Sequence, residues 1–249
     1  MSGHSKWAQI KRQKGAADVK RGQLFTKLGR EITVAARQGG PDAEANFRLR
    51  LAIQRAREAN MPADNIKRAV ERATGSGEGA ALEEIVYEGY GPGGAAILIE
   101  VLTDNRNRTV SEIRSLFTRG GGNLGESGSV AWIFESKGVV TAQSGTMDPQ
   151  EVGLLAIDAG AEDVDIGEGH IDAYTQPGDL EKVRRALEEA GIKVSGAELV
   201  MQPKSTVFLA EKEAVQAIRL IERIEEMDDV QKVYFNADFD TEVVARAAS

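Results

Sequence analysis

Apolar residues in the first third of the chain recur at helical spacing. The positions of Leu28 and Ile32 fit a helix over 18–38, and the same periodicity predicts helices over 43–59 and 62–73. A glycine and proline pair ends the first helix, and a proline opens the third. Three helices with short connections predict a small all-α domain.

A Gly-rich linker over 74–79 separates this region from alternating β and α patterns. The apolar run Ile97–Leu102 predicts a buried strand, which is followed by an amphipathic helix over 109–119 and a strand over Val130–Phe134. A second series then predicts strand 139–142, helix 149–159, strand 164–166, strand 171–174, helix 180–190 and strand 194–199. The last elements are strand 207–210, helix 212–227 and strand 230–235.

The order of these elements predicts an α+β protein of three domains. The second series, β-α-β-β-α-β, is typical of a ferredoxin-like unit. The β-α-β series before it and the one after it complete a second such unit when they are joined. We therefore expect a basic arm and helical domain over 1–75, a discontinuous α/β domain over 82–137 with 204–240, and an inserted α/β domain over 138–203. Three successive modules are disfavoured, because a two-stranded sheet cannot bury both of its faces alone.

Composition excludes several chemistries. The 249 residues contain no cysteine, which removes disulfides, thiolate metal sites and cysteine nucleophiles. With only His4 and His170, a histidine-based catalytic site or a multi-histidine metal site is not expected. We expect no cofactor, no metal and no catalytic residue. The chain has neither an apolar stretch of spanning length nor a secretory signal, so we expect a cytoplasmic protein without a membrane partner.

Charge is distributed unevenly along the chain. Residues 1–75 hold 16 Lys and Arg against 7 Asp and Glu, although the whole chain has a net charge of −8. Such a basic block binds phosphate and gives a steep salt dependence, which favours a nucleic-acid partner. A solvated helical face and a membrane-surface helix are the competing interpretations. The candidate phosphate contacts are Lys6, Lys11, Arg12, Lys14, Lys20, Arg21, Lys27 and Arg30, with Arg106 and Arg108 as second choices.

Two segments of the acidic part of the chain, after residue 75, are further candidates for a functional site. Arg106 and Arg108 follow a predicted buried strand, at the start of a helix that Asp104 or Asn105 can cap. The segment GGGNLG over 120–125 fits a dinucleotide fingerprint by letter, but it follows a helix rather than a strand. We interpret it as a helix-to-strand turn or as an amide-rich contact loop.

Several long blocks resemble one family. The segments GHSKWAQIKRQKGAADVKRGQLFTKLGREITVAARQGG, NMPADNIKRAV, YEGYGPGG, LTDNRNRTVSEIR and GGNLGESGSVAWIF are similar, in this order, to those of the YebC/PmpR family. The resemblance implies a helical domain and two α/β domains around a cleft. It also implies a regulator of gene expression without catalysis. Family members are described as DNA-binding transcriptional regulators, and others act on translation at the ribosome, including mitochondrial translational activators.

Two functions therefore stay open. The first is a DNA-binding transcriptional regulator, although no helix-turn-helix stands out in the sequence. The alternative is a ribosome-associated translation factor that binds ribosomal RNA and assists synthesis through proline-rich stretches. A basic protein is an expected partner for the acidic cleft in either case. An enzyme that uses a metal in this cleft is the weakest hypothesis, because the spacing of the carboxylates singles out no pair.

Overall fold

The computed structural model describes residues 21–75, 82–167, 169–240 and 243. The chain forms two compact units. One spans Phe134–Lys204, and the other joins the described residues before Phe134 to those from Ser205 onwards. The α+β class and the three-domain architecture predicted from the sequence are confirmed, with the helical domain and the discontinuous α/β domain lying in one unit.

The helical domain consists of α1 (Arg21–Gly39), α2 (Phe47–Glu58) and α3 (Ala63–Thr74). Its core contains Ile32 and Leu49, which are fully buried, together with Ile66 and several alanines. The second helix begins four residues later than predicted, because Asn46 caps it. The Asn46 side chain accepts from the Leu49 amide at 3.0 Å and donates to the carbonyls of Ala35 and Gly40, each at 2.8 Å.

The discontinuous domain is built on a four-stranded antiparallel sheet. Its strands are β1 (Glu83–Tyr90), β2 (Ala96–Thr103), β3 (Asn123–Leu124) and β9 (Val230–Phe235), in the order β3-β1-β2-β9. The turn between β1 and β2 contains Gly93 and Gly94, both at a positive φ that glycine adopts without steric cost. Two helices accompany the sheet, α4 (Arg106–Arg119) and α7 (Glu211–Glu225). Strands β8 (Val207–Phe208) and β10 (Ala237–Asp238) form a small parallel pair.

Two predicted strands of this domain are wrong. In place of the predicted strand Val130–Phe134, residues Ala131–Ile133 form a 3₁₀ turn. The amides of Val130 and Ala131 donate to the Glu88 carboxylate instead of a neighbouring strand. The predicted strand over 207–210 is shorter in the structure, where only Val207 and Phe208 form a strand. The missing central strand is supplied by β1, which the sequence prediction did not include.

The second unit contains β4 (Phe134–Gln143), α5 (Pro149–Ala159), β5 (Asp163–Gly167), β6 (His170–Thr175), α6 (Leu180–Glu189) and β7 (Lys193–Pro203). The strand order is β5-β6-β4-β7, and all three pairs are antiparallel. This is the arrangement of a ferredoxin-like unit. Residues such as Val140, Ile171 and Leu187 are fully buried in it. The predicted order of elements is therefore confirmed in this unit.

Candidate nucleic-acid interface

The sequence-predicted phosphate contacts fall into three groups. Lys6, Lys11, Arg12, Lys14 and Lys20 lie outside the described residues. Arg21 is the first residue of α1, and Lys27 and Arg30 follow on the same helix. Arg106 and Arg108 lie in the first turn of α4, which Asn105 caps by accepting from the Arg108 amide at 3.1 Å.

Arg30 and Arg108 are brought together by one buried carboxylate. Asp229 accepts from the Arg30 guanidinium at 2.6 Å and from the Arg108 guanidinium at 2.7 Å. The hydroxyls of Thr103 and Thr109 donate to the same carboxylate at 3.0 and 2.7 Å. These two arginines therefore carry a structural ion pair, which the sequence analysis did not anticipate.

Hydrogen bonds keep the Asp229 carboxylate ionised. Burial alone would raise the pKa of Asp229, but the donors from Arg108, Thr109, Arg30 and Thr103 outweigh it and lower the pKa to about 2. The Asp229 side chain is only 7% exposed, whereas that of Arg108 is 42% exposed. The ion pair is therefore sheltered on its anionic side and open to solvent at one arginine.

Lys27 and Arg30 also fasten α1 to the discontinuous domain. The Lys27 ammonium donates to the Glu225 carbonyl at 2.6 Å, at the end of α7. The Arg30 guanidinium donates to the carbonyls of Asp228 and Leu102 at 2.9 and 3.2 Å. Both cations thus hold one face of α1 against the loop that precedes β9. Cations that are available to a ligand therefore lie on other faces of the helical domain.

A basic groove runs between α1 and α3. Its volume is about 970 Å³, and Gly29 and Thr33 of α1 face Asn65 of α3 across it. Four arginines line it, namely Arg30, Arg37, Arg68 and Arg72. Glu71 and Asp104 are the carboxylates in the same lining, so the groove keeps an excess of positive charge. Arg37, Arg68 and Arg72 have exposed side chains.

The sequence analysis did not include these three arginines among its candidates, because it chose cations by their density along the chain. The signal that identifies them is the four-residue spacing of Arg68 and Arg72 on the polar face of the third helix. Arg37 joins them only through the packing of α1 on α3. The folded domain, rather than the sequence, brings the three guanidinium groups to one groove.

The arginines of α2 are largely engaged within the chain. Arg48 forms an ion pair with Glu84, which raises the pKa of Arg48 and lowers that of Glu84. Arg55 donates to Glu31 at 2.9 Å, and Arg50 donates to the Ala43 carbonyl at 3.1 Å. The basic face of α2 therefore stabilises the unit and offers less positive charge than its sequence indicates.

The glycine-rich loop after α4 is held by a second buried carboxylate. Glu88 of β1 accepts from the amides of Gly128, Val130 and Ala131 at 2.7–2.8 Å. Burial raises the pKa of Glu88, but these three donors outweigh it and lower the pKa below its usual value. The amides of Gly128, Val130 and Ala131 are thus already paired with the protein's own carboxylate, and those of Gly120, Gly122 and Gly125 donate to backbone carbonyls.

The connection between α2 and α3 is a tight turn with a residue in the left-handed conformation. Asn60 adopts a left-handed φ of 59°. Its amide donates to the Arg57 carbonyl at 2.9 Å, and the Met61 amide donates to the Ala56 carbonyl at 2.9 Å. These two bonds are those of a Schellman motif, which stops a helix sharply. Pro62 then precedes the first residue of α3.

Comparison with known proteins identifies the family. Residues 5–76 match the family model of the TACO1/YebC protein N-terminal domain, and residues 82–237 match that of the TACO1/YebC second and third domain. The chain belongs to the TACO1/YebC family. The resemblance found in its sequence blocks is confirmed.

Relatives from the TACO1/YebC family match this chain over nearly its whole length. A protein of Dehalococcoides mccartyi is 56% identical over 246 residues, which cover 99% of this chain and 98% of the relative. A protein of Moorella thermoacetica is 58% identical over 241 residues, which cover 96% of each chain. Both relatives carry the name probable transcriptional regulatory protein.

A solved structure has the same fold. The crystal structure of the conserved hypothetical protein Aq1575 from Aquifex aeolicus matches with a TM-score of 0.84 and 46% sequence identity. The match covers 90% of this chain and 92% of that protein.

The described residues contain neither a membrane-spanning helix nor a cluster of metal-binding side chains. None of the helices described here combines the length and the hydropathy that crossing a bilayer requires. Over the same residues, no three His, Asp or Glu side chains are grouped so that they can hold a metal ion.

Proposed function

We propose that this chain is a non-enzymatic, DNA-binding regulator of transcription, and that the basic groove of the helical domain is its phosphate-binding surface. The observation that carries the proposal is the convergence of Arg37, Arg68 and Arg72 on one exposed groove between α1 and α3. Guanidinium groups bind phosphate oxygens with two donors each, and such contacts release counterions from DNA.

Other observations support this proposal. The relatives that match almost the whole chain are named probable transcriptional regulatory proteins. The five cations over 6–20 precede α1 directly in the sequence, so they extend the positive charge of the same domain. The rest of the chain carries a strong negative charge, which repels the DNA backbone and favours binding through the helical domain.

A salt titration tests the proposal. The full chain is titrated with fluorescent duplex DNA of random sequence between about 50 and 200 mM salt. Each phosphate contact contributes about 0.9 to the slope of log K against log salt concentration. Replacing Arg37, Arg68 and Arg72 together by alanine is therefore expected to lower the slope by about 2–3.

The matched control replaces Arg114, an exposed arginine of α4 that does not line the groove, by alanine. Its slope is expected to stay that of the unmodified chain. An unchanged slope in the triple variant would overturn the proposed surface. Preference for ribosomal RNA over duplex DNA at equal salt would favour the ribosome-associated alternative instead.

A further inference from the structure

We propose that α2 and α3 form a helix-turn-helix unit, and that α3 lies in the major groove of duplex DNA with Arg68 reading a guanine. This inference rests on the proposed function and adds to it the element that recognises sequence. The residue pattern alone did not indicate such a motif.

The first step is the length of the connection. Four residues, 59–62, join α2 to α3, which is the length found in helix-turn-helix units. The Schellman motif at Asn60 ends α2 abruptly, and the buried Met61 anchors the turn in the core of the domain. The turn therefore fixes how the chain leaves α2 and enters α3.

The second step is the support of α3 by α1. Ile66 and Ala69 of α3 are buried in the core that also contains Leu28 and Ile32 of α1. The Thr33 hydroxyl of α1 donates to the Ala69 carbonyl at 2.9 Å. The buried face of α3 is thus fixed on a rigid element, and the opposite face is presented to solvent. A helix that reads bases needs this kind of support.

The third step is the chemistry of the exposed face of α3. With 100° between successive residues, the exposed face of α3 carries Asp64, Lys67, Arg68, Glu71 and Arg72. Arg68 lies on this face between Asp64 and Arg72. The Arg68 guanidinium donates to the Asn65 side chain at 2.7 Å and to the Asp64 carbonyl at 3.2 Å. Arginine paired with guanine, asparagine with adenine and aspartate with cytosine are the contacts by which side chains read the major groove.

The fourth step is the mixture of charges on this face. Asp64 lies in the first turn of α3, where a carboxylate repels a phosphate that approaches the helix end. The Asp64 carboxylate also interacts favourably with the helix dipole, and Glu71 is a second exposed carboxylate on the same helix. Arg37 and Arg72, which line the groove, supply the phosphate contacts. The arrangement fits a helix that points its first turns at base edges, with arginines holding the backbone.

Duplex DNA is the one polymer that fits this face. The major groove of DNA admits an α-helix, whereas the deep, narrow major groove of double-stranded RNA does not. Double-stranded RNA is therefore expected to bind only through phosphate contacts. It serves as a probe that separates base reading from charge.

Selection from a randomised duplex library tests the inference with the full chain. The unmodified chain is expected to enrich a motif with at least one fixed guanine. Methylation of N7 of that guanine, which blocks its major-groove edge, is expected to weaken binding about 10- to 100-fold. R68A and R68K are both expected to lose this guanine preference, because lysine lacks the two-donor fork of arginine. The R114A control is expected to keep it.

Each other outcome overturns a defined part of the account. Salt-dependent binding of DNA with no enriched motif, or with no effect of methylation, would overturn the major-groove inference and leave the proposed function in place. An unchanged motif in R68A and R68K would overturn the assignment of α3. Failure to bind duplex DNA at any salt would overturn the proposed function together with the inference.

Discussion

At the scale of single residues, Asp229 is the side chain that joins two of the predicted cations, Arg30 and Arg108. The density of positive charge along the sequence selected Arg30 and Arg108 as candidate phosphate contacts. It did not show their partner, because Asp229 lies 199 residues from Arg30 and 121 from Arg108 along the chain. Pairing over such separations is decided by the packing of the sheet, and no local pattern encodes it.

The ion pair of Asp229 predicts a loss of stability in acid. Folding lowers the pKa of Asp229 from 3.8 to about 2, which means that the ionised carboxylate is more stable in the folded state than in the unfolded chain. The difference contributes about 2–3 kcal/mol to the free energy of unfolding. This contribution is complete above pH 4 and is lost as the pH falls from about 4 towards 2. Urea unfolding at several pH values measures it.

D229N is the matched variant for this measurement. An amide cannot neutralise the two guanidinium groups, so we expect the free energy of unfolding at neutral pH to fall by about 2–4 kcal/mol. The variant is also expected to lose less stability than the unmodified chain between pH 4 and pH 2. Equal losses in both proteins would show that other carboxylates govern acid unfolding.

At the scale of elements, the sequence predicted helices better than strands. Helix 149–159 and strand 230–235 were predicted with the bounds that the structure has. The strand over Val130–Phe134 failed because its apolar letters fit a strand, whereas Glu88 removes its amides from pairing. Strand β1 was missed because Val86 is exposed whereas the three successive residues Tyr87, Glu88 and Gly89 are buried, so the strand does not alternate between buried and exposed positions.

The turn between α2 and α3 gives a prediction at this scale. Asn60 has a left-handed φ that glycine and asparagine tolerate and that β-branched residues do not. N60V is expected to lower the free energy of unfolding by about 1–2 kcal/mol, and N60G is expected to leave it within about 0.5 kcal/mol. Thermal unfolding of the two variants measures the difference. Similar stability of N60V and N60G would contradict the role given to the turn.

At the scale of the whole molecule, the first 75 residues and the rest of the chain carry net charges of opposite sign. Residues 1–75 hold 16 basic and 7 acidic side chains, and the remaining residues hold 15 and 32. The sequence therefore located the domain that we propose binds DNA, and only the structure located the groove within it. The reason is that Lys27, Arg30 and most arginines of α2 bind the chain itself, which a count of charges does not reveal. A basic protein partner for the acidic residues stays a prediction.

Cross-linking the full chain to duplex DNA with ultraviolet light tests the central proposal most directly. Mass spectrometry of the products shows which peptides carry nucleotides. We predict that the cross-links lie in residues 1–39 and in α3. Cross-links confined to Phe134–Lys204, or none outside the acidic part of the chain, would contradict the account.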